Sequence, residues 1–248
     1  MEALSTQHIT KSFSGRVIIE DISIRLMENE LVSLLGVSGS GKTTLFNVIS
    51  GILQPDSGQV LLRGEDVTGH PGKISYMLQK DLLLEHMKVI DNVSLPLRLN
   101  GISKKEARMR TGPLFEEFGL EGTQELYPAA MSGGMRQRAA LLRTYLGSQG
   151  GVALLDEPFS ALDTITKGQI HTWYLDIMEK IDLSTIFITH DIDEAILLSN
   201  RIYIMTGAPG QIKDEIVIDR PRNDRKEFNL TEDFLSCKRK VLKTLENR

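Results

Sequence analysis

The segment GVSGSGKT, which begins at Gly36 and ends at Thr43, constrains the fold of this chain more than any other. It matches the pattern G-x-x-x-x-G-K-[ST], in which glycines let backbone N–H groups curl around a phosphate while the next helix presents its positive end. An apolar run over residues 31–35 precedes the segment, and a helical pattern over residues 43–50, closed by Gly51, follows it. The sequence therefore predicts a buried strand, a phosphate-binding loop and a helix in direct succession.

The polar residues of this loop have separate expected roles. Lys42 is expected to reach the β- and γ-phosphates of a nucleotide, and Thr43 to bind magnesium. The complete set predicted to bind nucleotide in this segment is Gly36, Ser38, Gly39, Ser40, Gly41, Lys42, Thr43 and Thr44. The alternative, a glycine-rich turn without a ligand, is disfavoured by the predicted strand and helix on either side.

The composition argues against several classes of function. The 248 residues include 29 basic and 33 acidic side chains, a formal net charge of −4, so the broad basic surface of a nucleic-acid-binding protein is not expected. The single cysteine, Cys237, cannot close an intramolecular disulfide and is typical of a reducing cytoplasm. The first residues do not resemble a signal peptide, and no apolar run approaches the roughly 18–20 residues that cross a bilayer. We therefore expect a cytoplasmic protein whose membrane role, if any, comes from a partner.

Two further apolar runs, residues 152–155 and 185–188, end in polar residues, as buried parallel strands do at the carboxyl edge of a sheet. The first run leads into Asp156, expected in the magnesium shell, and Glu157, expected to take a proton from an attacking water as general base. A solvated acidic turn is the alternative for this pair. The second run leads to His190, which could instead be an ordinary hydrogen-bonded histidine at a strand end.

The remaining patterns predict a mixed α/β chain. Ile22, Ile24 and Leu26 alternate within residues 17–26, which favours antiparallel strands, and residues 202–205 and 212–218 are expected to form strands that close the core. Residues 86–151 have a helical texture, in which Ser103 and Glu106 are spaced as a capping box. A break is expected at residues 112–113, because proline costs a helix interior about 3 kcal/mol.

Helix starts are also predicted further along the chain. Asp191 and Glu194 are spaced as a second capping start, and a helix with one apolar face is predicted from Thr231. Ser132, Gly133 and Gly134 precede a helix that is expected to run through Arg143. The N-terminus of that helix is a second candidate anion site, because a serine cap and flexible glycines expose its N–H groups.

In their order along the chain, these segments resemble the family of ATP-binding cassette (ABC) ATPases. MSGGMRQR from Met131 is similar to the signature of that family, although Met131 and Met135 replace its usual leucine and glutamine. The resemblance implies a P-loop NTPase core, that is, a RecA-like mixed sheet with flanking helices, together with an antiparallel β subdomain and an inserted α-helical subdomain. The implied domains are a nucleotide-binding domain over residues 1–220, with its core in 1–85 and 152–220 and its helical subdomain in 86–151, and a helical tail over 221–248.

The resemblance also implies roles for single residues. Phe13 matches the aromatic residue that stacks on adenine, although it could belong to the core. Gln79 matches the glutamine that links the nucleotide to the partner, with expected roles in catalysis and in the magnesium shell. Ser132, Gly133 and Gly134 would contact the γ-phosphate bound to a second copy of the chain. Asp163 matches an aspartate at the contact between the copies and could also cap the helix from Thr164. His190 matches the histidine that acts on the γ-phosphate.

The implied function is ATP hydrolysis, with ATP and Mg²⁺ bound, by a subunit that forms a homodimer in the ATP-bound state. Its expected partners are integral-membrane permease subunits and, indirectly, an extracytoplasmic solute-binding protein, which would place the chain peripherally on the inner face of the cell membrane. Leu82, Leu83 and Leu84 are the expected dock for a permease helix, or else core residues. The sequence most resembles importers of nitrate, sulfonate, taurine and thiamine pyrimidine precursors. A motor for an exporter or a membrane-remodelling complex is the alternative, and a DNA-repair ATPase a remote one.

Overall fold

The computed structural model describes residues 1–148, 151–221, 224–225 and 227–246. Its larger sheet has six strands in the order β11-β10-β4-β9-β8-β7. These strands are β4 (Leu31–Gly36), β7 (Ser75–Met77), β8 (Val152–Asp156), β9 (Ser184–Thr189), β10 (Arg201–Thr206) and β11 (Gln211–Val217). Strands β10, β4, β9, β8 and β7 are parallel, and β11 pairs antiparallel with β10. Every residue of β4, β8 and β9 is buried, which explains why their sequences are continuous apolar runs.

A second, five-stranded sheet is antiparallel. Its strands are β1 (Glu2–Phe13), β2 (Arg16–Ile22), β3 (Arg25–Met27), β5 (Ser57–Leu62) and β6 (Glu65–Asp66). Ile22, Ile24 and Leu26 are all buried, as their alternation predicts. The long strand β1 was not predicted, because polar Ser5 and Thr6 occupy buried positions and obscure its apolar face.

Nine α-helices lie in the described ranges: α1 (Lys42–Ile49), α2 (Val89–Val93), α3 (Leu95–Leu99), α4 (Lys104–Thr111), α5 (Leu114–Glu117), α6 (Gly133–Gly147), α7 (Thr164–Met178), α8 (Ile192–Leu198) and α9 (Glu232–Glu246). Short 3-10 turns occupy Pro128–Ala130 and Phe228–Leu230. None of the helices in those ranges combines the length and the hydropathy of a membrane-crossing segment.

The predicted helix signals are confirmed. The Ser103 hydroxyl accepts a hydrogen bond from the Glu106 N–H at the start of α4, and the break at residues 112–113 separates α4 from α5. Elements α2 to α6 fall within the predicted helical subdomain, of which residues 149–150 lie outside the described ranges. Residues 222–223, 226 and 247–248 of the predicted tail also lie outside them. The domain boundaries themselves stay a prediction.

The large sheet lies between two apolar clusters. On one face, α6 and α7 pack against it through residues such as Leu142 and Tyr174, and on the other face α1 and the antiparallel sheet contribute Phe46 and Ile22. A third cluster joins α8, β10 and α9, with Val241 of α9 fully buried. Because both faces are covered, the carboxyl edge of the sheet remains as the accessible place for a ligand site.

Candidate nucleotide site

Four neighbouring strands deliver the predicted site residues to one edge of the sheet. Strand β4 ends at Gly36, β9 ends just before His190, β8 ends at Asp156, and β7 ends two residues before Gln79. Register pairs Leu35 with Thr189, Asp156 with Ile188 and Met77 with Leu155, so the four strand ends are nearly level. The sheet therefore brings together segments that are far apart in the sequence.

Glycine is required at two positions of the phosphate loop. A Cβ atom on Gly36 would lie 2.2 Å from the carbonyl oxygen of Met205, and one on Gly41 would lie 2.5 Å from Cγ2 of Ile19. Gly41 also has φ +93°, a backbone conformation that other residues rarely adopt. The loop is thus held close to β10 and β2. Ser38, Gly39 and Thr43 are exposed, Ser40 is buried and Thr44 is half-buried.

Lys42 begins α1, and its side chain folds back over the loop. Its Nζ donates to the carbonyl oxygens of Gly36, at 2.8 Å, and Val37, at 2.9 Å. Burial lowers the pKa of Lys42, and the nearby carboxylates of Glu157 and Asp156 oppose this effect. The ammonium group is therefore held by the loop carbonyls, close enough to the acidic pair to feel its charge.

Asp156 is a buried carboxylate at the end of β8. Burial raises the pKa of Asp156, while a hydrogen bond from the Tyr76 hydroxyl, 3.2 Å from its Oδ2, lowers it. Tyr76 was not predicted from the sequence. Its signal was an aromatic residue three positions before Gln79, but nothing in the sequence indicated that β7 lies beside β8.

Glu157 contacts two other predicted site residues, Gln79 and His190. Gln79 Nε2 donates to Glu157 Oε2 at 3.1 Å, and His190 Nδ1 lies 3.3 Å from Glu157 Oε1. Glu157 has φ +48°, and its N–H donates to the carbonyl oxygen of Ile188 at 3.1 Å. The chain therefore turns at Glu157, and the side chain of Glu157 faces the same edge as His190.

The residues proposed for magnesium supply oxygen atoms: the Thr43 hydroxyl, the Asp156 carboxylate and the Gln79 amide. Mg²⁺ typically binds one or two carboxylates together with substrate phosphates rather than a cage made only of protein ligands. Within the described residues there is no group of three or more His, Cys, Asp or Glu side chains arranged for a metal. The donor set therefore fits Mg²⁺.

The corner formed by Ser132, Gly133 and Gly134 lies in a separate groove. Ser132 is the N-cap of α6, and its Oγ accepts a hydrogen bond from the Met135 N–H at 3.3 Å. A Cβ atom on Gly134 would lie 3.4 Å from Thr166 on α7. The groove, about 430 Å³ in volume, is lined by Ser132, Gly133, Gly134, Met135, Arg138, Ala161, Leu162, Asp163, Thr166, Gln169 and Ile170. No residue of the phosphate loop lines it, so the two candidate anion sites of the chain are separate.

Asp163 and Phe13 complete the predicted residues. Asp163 caps α7, because its Oδ1 accepts hydrogen bonds from the N–H groups of Ile165 and Thr166, each at 3.1 Å. Phe13 is the last residue of β1 and is 46% exposed, so the core alternative is wrong for this ring. The Lys11 ammonium lies 5.6 Å from the centre of the ring.

The loop after Gln79 differs from its prediction in one respect. Leu83 is only 5% exposed and belongs to the core, whereas Leu82 is 51% exposed and Leu84 is 37% exposed. A dock that includes Leu83 is therefore wrong, and Leu82 and Leu84 remain. The loop is also tied to α6, since Arg136 donates through Nε to Asp81 Oδ2 at 2.9 Å and through Nη2 to Oδ1 at 3.1 Å. The sequence analysis missed this ion pair, because 55 positions separate its members.

Comparisons with known proteins identify the family of this chain. Residues 19–160 match the model of the ABC transporter family. The chain is 43% identical over 232 residues to the formylaminopyrimidine import ATP-binding protein ThiZ of Halalkalibacterium halodurans, covering 93% of this chain and 90% of that protein. It is 37% identical over 232 residues to the nitrate import ATP-binding protein NrtD of Synechocystis, with coverages of 92% and 87%.

A solved structure extends the comparison. The dimeric post-hydrolysis state of the ATP-binding cassette MJ0796, bound to ADP and Pi, superimposes with a TM-score of 0.72 at 26% identity and covers 88% of this chain and 100% of that one. The chain therefore belongs to the ABC transporter family. Within that family it is an ATP-binding, ATP-hydrolysing subunit with the mixed α/β cassette fold.

Proposed function

We propose that two copies of this chain enclose two ATP molecules, and that hydrolysis at their interface drives import of a small solute through a separate permease. One observation carries the dimer: the phosphate loop and the Ser132 corner lie in separate grooves of the same chain. Because the corner is an exposed N-cap beside Asp163, it is available to a phosphate held by another copy. A dimer would then close when ATP is present and open after the γ-phosphate is lost.

Each residue at the sheet edge has a task in hydrolysis. The Lys42 ammonium neutralises the β- and γ-phosphates, and the backbone of the loop positions them. Glu157, in contact with Gln79 and His190, accepts a proton from the attacking water while His190 supports the γ-phosphate. Thr43, Asp156 and Gln79 would hold Mg²⁺, which neutralises phosphate charge when bound. Phe13 offers its exposed ring to adenine.

The permease is proposed to dock at Leu82 and Leu84. These two exposed leucines follow Gln79, which contacts Glu157, so a partner helix there would be close to the hydrolytic carboxylate. The related proteins ThiZ and NrtD are import ATP-binding proteins for formylaminopyrimidine and nitrate. This likeness supports a small solute of that kind, an extracytoplasmic binding protein as indirect partner, and a position on the cytoplasmic face of the cell membrane.

Affinity capture of the tagged chain from solubilised membranes tests this assignment. We expect integral-membrane subunits and a solute-binding protein to co-purify, and mass spectrometry of the binding protein's ligand to identify the solute. Leu82→Glu should lower the yield of membrane subunits at least about tenfold, since a charge on an apolar contact costs more than about 1.4 kcal/mol. Leu230→Glu is the matched control, because Leu230 is an exposed leucine, at 81%, before the C-terminal helix. Equal yields from the two variants would contradict docking at Leu82.

A further inference from the structure

Outside the residues assigned above, a cluster of charged side chains joins the first turns of α7 and α8. Lys167 of α7 donates to Asp191 Oδ2 at 2.9 Å and lies 3.2 Å from Glu194 Oε2. The Lys167 N–H also bonds to the carbonyl oxygen of Asp163, at 2.8 Å, so Lys167 lies one turn after the residue that caps α7. One ammonium group thus connects the caps of two helices.

The cluster is largely removed from solvent. The side chain of Glu194 is 3% exposed and that of Lys167 is 20% exposed. His171 Nε2 lies 3.3 Å from Glu194 Oε2, and the His171 ring packs edge-on against Phe159 at 5.0 Å between centres. Charge pairs that are shielded in this way hold a defined geometry, whereas exposed pairs contribute little.

Asp191 connects this cluster to the catalytic edge. Its Oδ1 accepts hydrogen bonds from the N–H groups of Asp193 and Glu194, and its Oδ2 accepts the one from Lys167. With both oxygens engaged, the backbone at residue 191 is fixed relative to α7. His190 directly precedes this anchor and has a side chain that is 60% exposed, so its position against Glu157 depends on where the anchor holds the chain.

We propose that Lys167 is a positioning residue for hydrolysis: it holds His190 in line with Glu157 and ties that pair to the start of α7, where Asp163 faces the second copy. This inference rests on the proposed function for the roles of His190 and Asp163. It predicts that removing the Lys167 ammonium lowers kcat while ATP binding is retained.

The test compares three variants of the full chain. Lys167→Met should lower kcat about ten- to a hundredfold with KM within about twofold, since misplacing a catalytic group slows chemistry more than binding. Lys167→Arg should recover most of the activity, because it restores the positive charge. Lys238→Met is the matched control. Lys238 of α9 forms an ion pair at 2.6 Å with Asp193 of α8, the helix that Asp191 caps, and has no ion pair with Asp191 itself. It should keep the kcat of the unmodified chain.

Two further measurements make the outcome decisive. Lys167→Met removes the ammonium that faces the buried carboxylate of Glu194. A double variant, Lys167→Met with Glu194→Gln, also removes that carboxylate charge and should fold while kcat remains low. The imidazole NMR signals of His190 are assigned by their loss in His190→Gln. They should shift in Lys167→Met and in the double variant, both of which lack the positive charge at position 167. Normal kcat in the double variant, or unshifted His190 signals, would overturn the role of Lys167. If the unmodified chain failed to hydrolyse ATP, the proposed function would fail, while the NMR signals would still decide whether Lys167 positions His190.

Discussion

At the scale of single residues, the acidic pair occupies two unfavourable environments. Glu157 has a left-handed backbone, which costs a residue other than glycine of order 1–3 kcal/mol, and Asp156 is a buried carboxylate. The hydrogen bond between Glu157 N–H and Ile188 and the one between Tyr76 and Asp156 hold the pair in place. Both costs fall on residues that are proposed to act on the nucleotide, so local stability is lost where the chemistry is proposed to occur.

The burial of Asp156 predicts how stability depends on pH. Its folded-state pKa is raised above the unfolded value of about 3.9, so the folded chain keeps this proton to higher pH, and stability falls as the pH rises through that window. Asp156→Asn removes the buried charge. Without nucleotide, this variant should therefore melt above the unmodified chain at pH 7, with about 2–4 °C for each kcal/mol gained.

The same comparison at lower pH is the check on this explanation. The difference in melting temperature should shrink as the pH falls below about 4, where the carboxyl becomes neutral in both states. A variant that melts below the unmodified chain at pH 7, or a difference that grows on acidification, would contradict the argument. Hydrolysis should be lost at every pH, because the variant lacks the carboxylate proposed for the magnesium shell.

At the scale of helices and strands, local signals were predicted well and contacts between distant segments were not. The caps at Ser103, Ser132, Asp163 and Asp191 depend on residues two or three positions away, so the sequence contains all the information they need. The pairing of Tyr76 with Asp156 and of Lys167 with Asp191 depends on which strands and helices become neighbours. Strand β1 was missed for a related reason, since its polar residues are buried only when β2 and β5 pair with it.

A comparison of two serine helix caps distinguishes the structural role of a cap from a proposed role in hydrolysis. Ser132 and Ser103 each accept a hydrogen bond at 3.3 Å from the N–H three residues later. Ser132→Ala and Ser103→Ala should each lower the free energy of unfolding by about 1 kcal/mol, the usual cost of losing such a cap. Only Ser132→Ala should also reduce ATP hydrolysis, because only Ser132 is proposed to contact a phosphate. Equal loss of hydrolysis in both variants, measured by phosphate release, would argue against that contact.

At the scale of the whole molecule, the proposed nucleotide site depends on an arrangement that one chain does not complete. The order of motifs along the sequence suggested this arrangement through a family resemblance, and the separation of the two grooves supports it on independent grounds. The order of motifs and the two grooves determine neither the identity of the solute nor the domain boundaries. In the proposed function the solute contacts other proteins, so the residues of this chain do not determine it.

The predicted dimer can be trapped by slowing hydrolysis. Glu157→Gln keeps the shape of the side chain but removes the base, so kcat should fall about a hundredfold or more while ATP binding remains. At saturating Mg·ATP, light scattering after size exclusion should give twice the mass of one chain. The control Glu121→Gln changes an exposed carboxylate of the helical region and should behave like the unmodified protein. A Glu157→Gln sample that stays monomeric would count against a shared nucleotide site.

The ion pair between Asp81 and Arg136 has a mechanical consequence. Asp81 accepts two hydrogen bonds from Arg136 of helix α6, while Gln79, two residues earlier, donates one to the carboxylate of Glu157. A displacement of exposed Leu82, the next residue after Asp81, would therefore be transmitted to the serine corner at the start of α6. It would also be transmitted to Glu157, the proposed general base. Such a linkage would let a solute on the other side of the membrane change the rate of ATP hydrolysis without contacting the nucleotide.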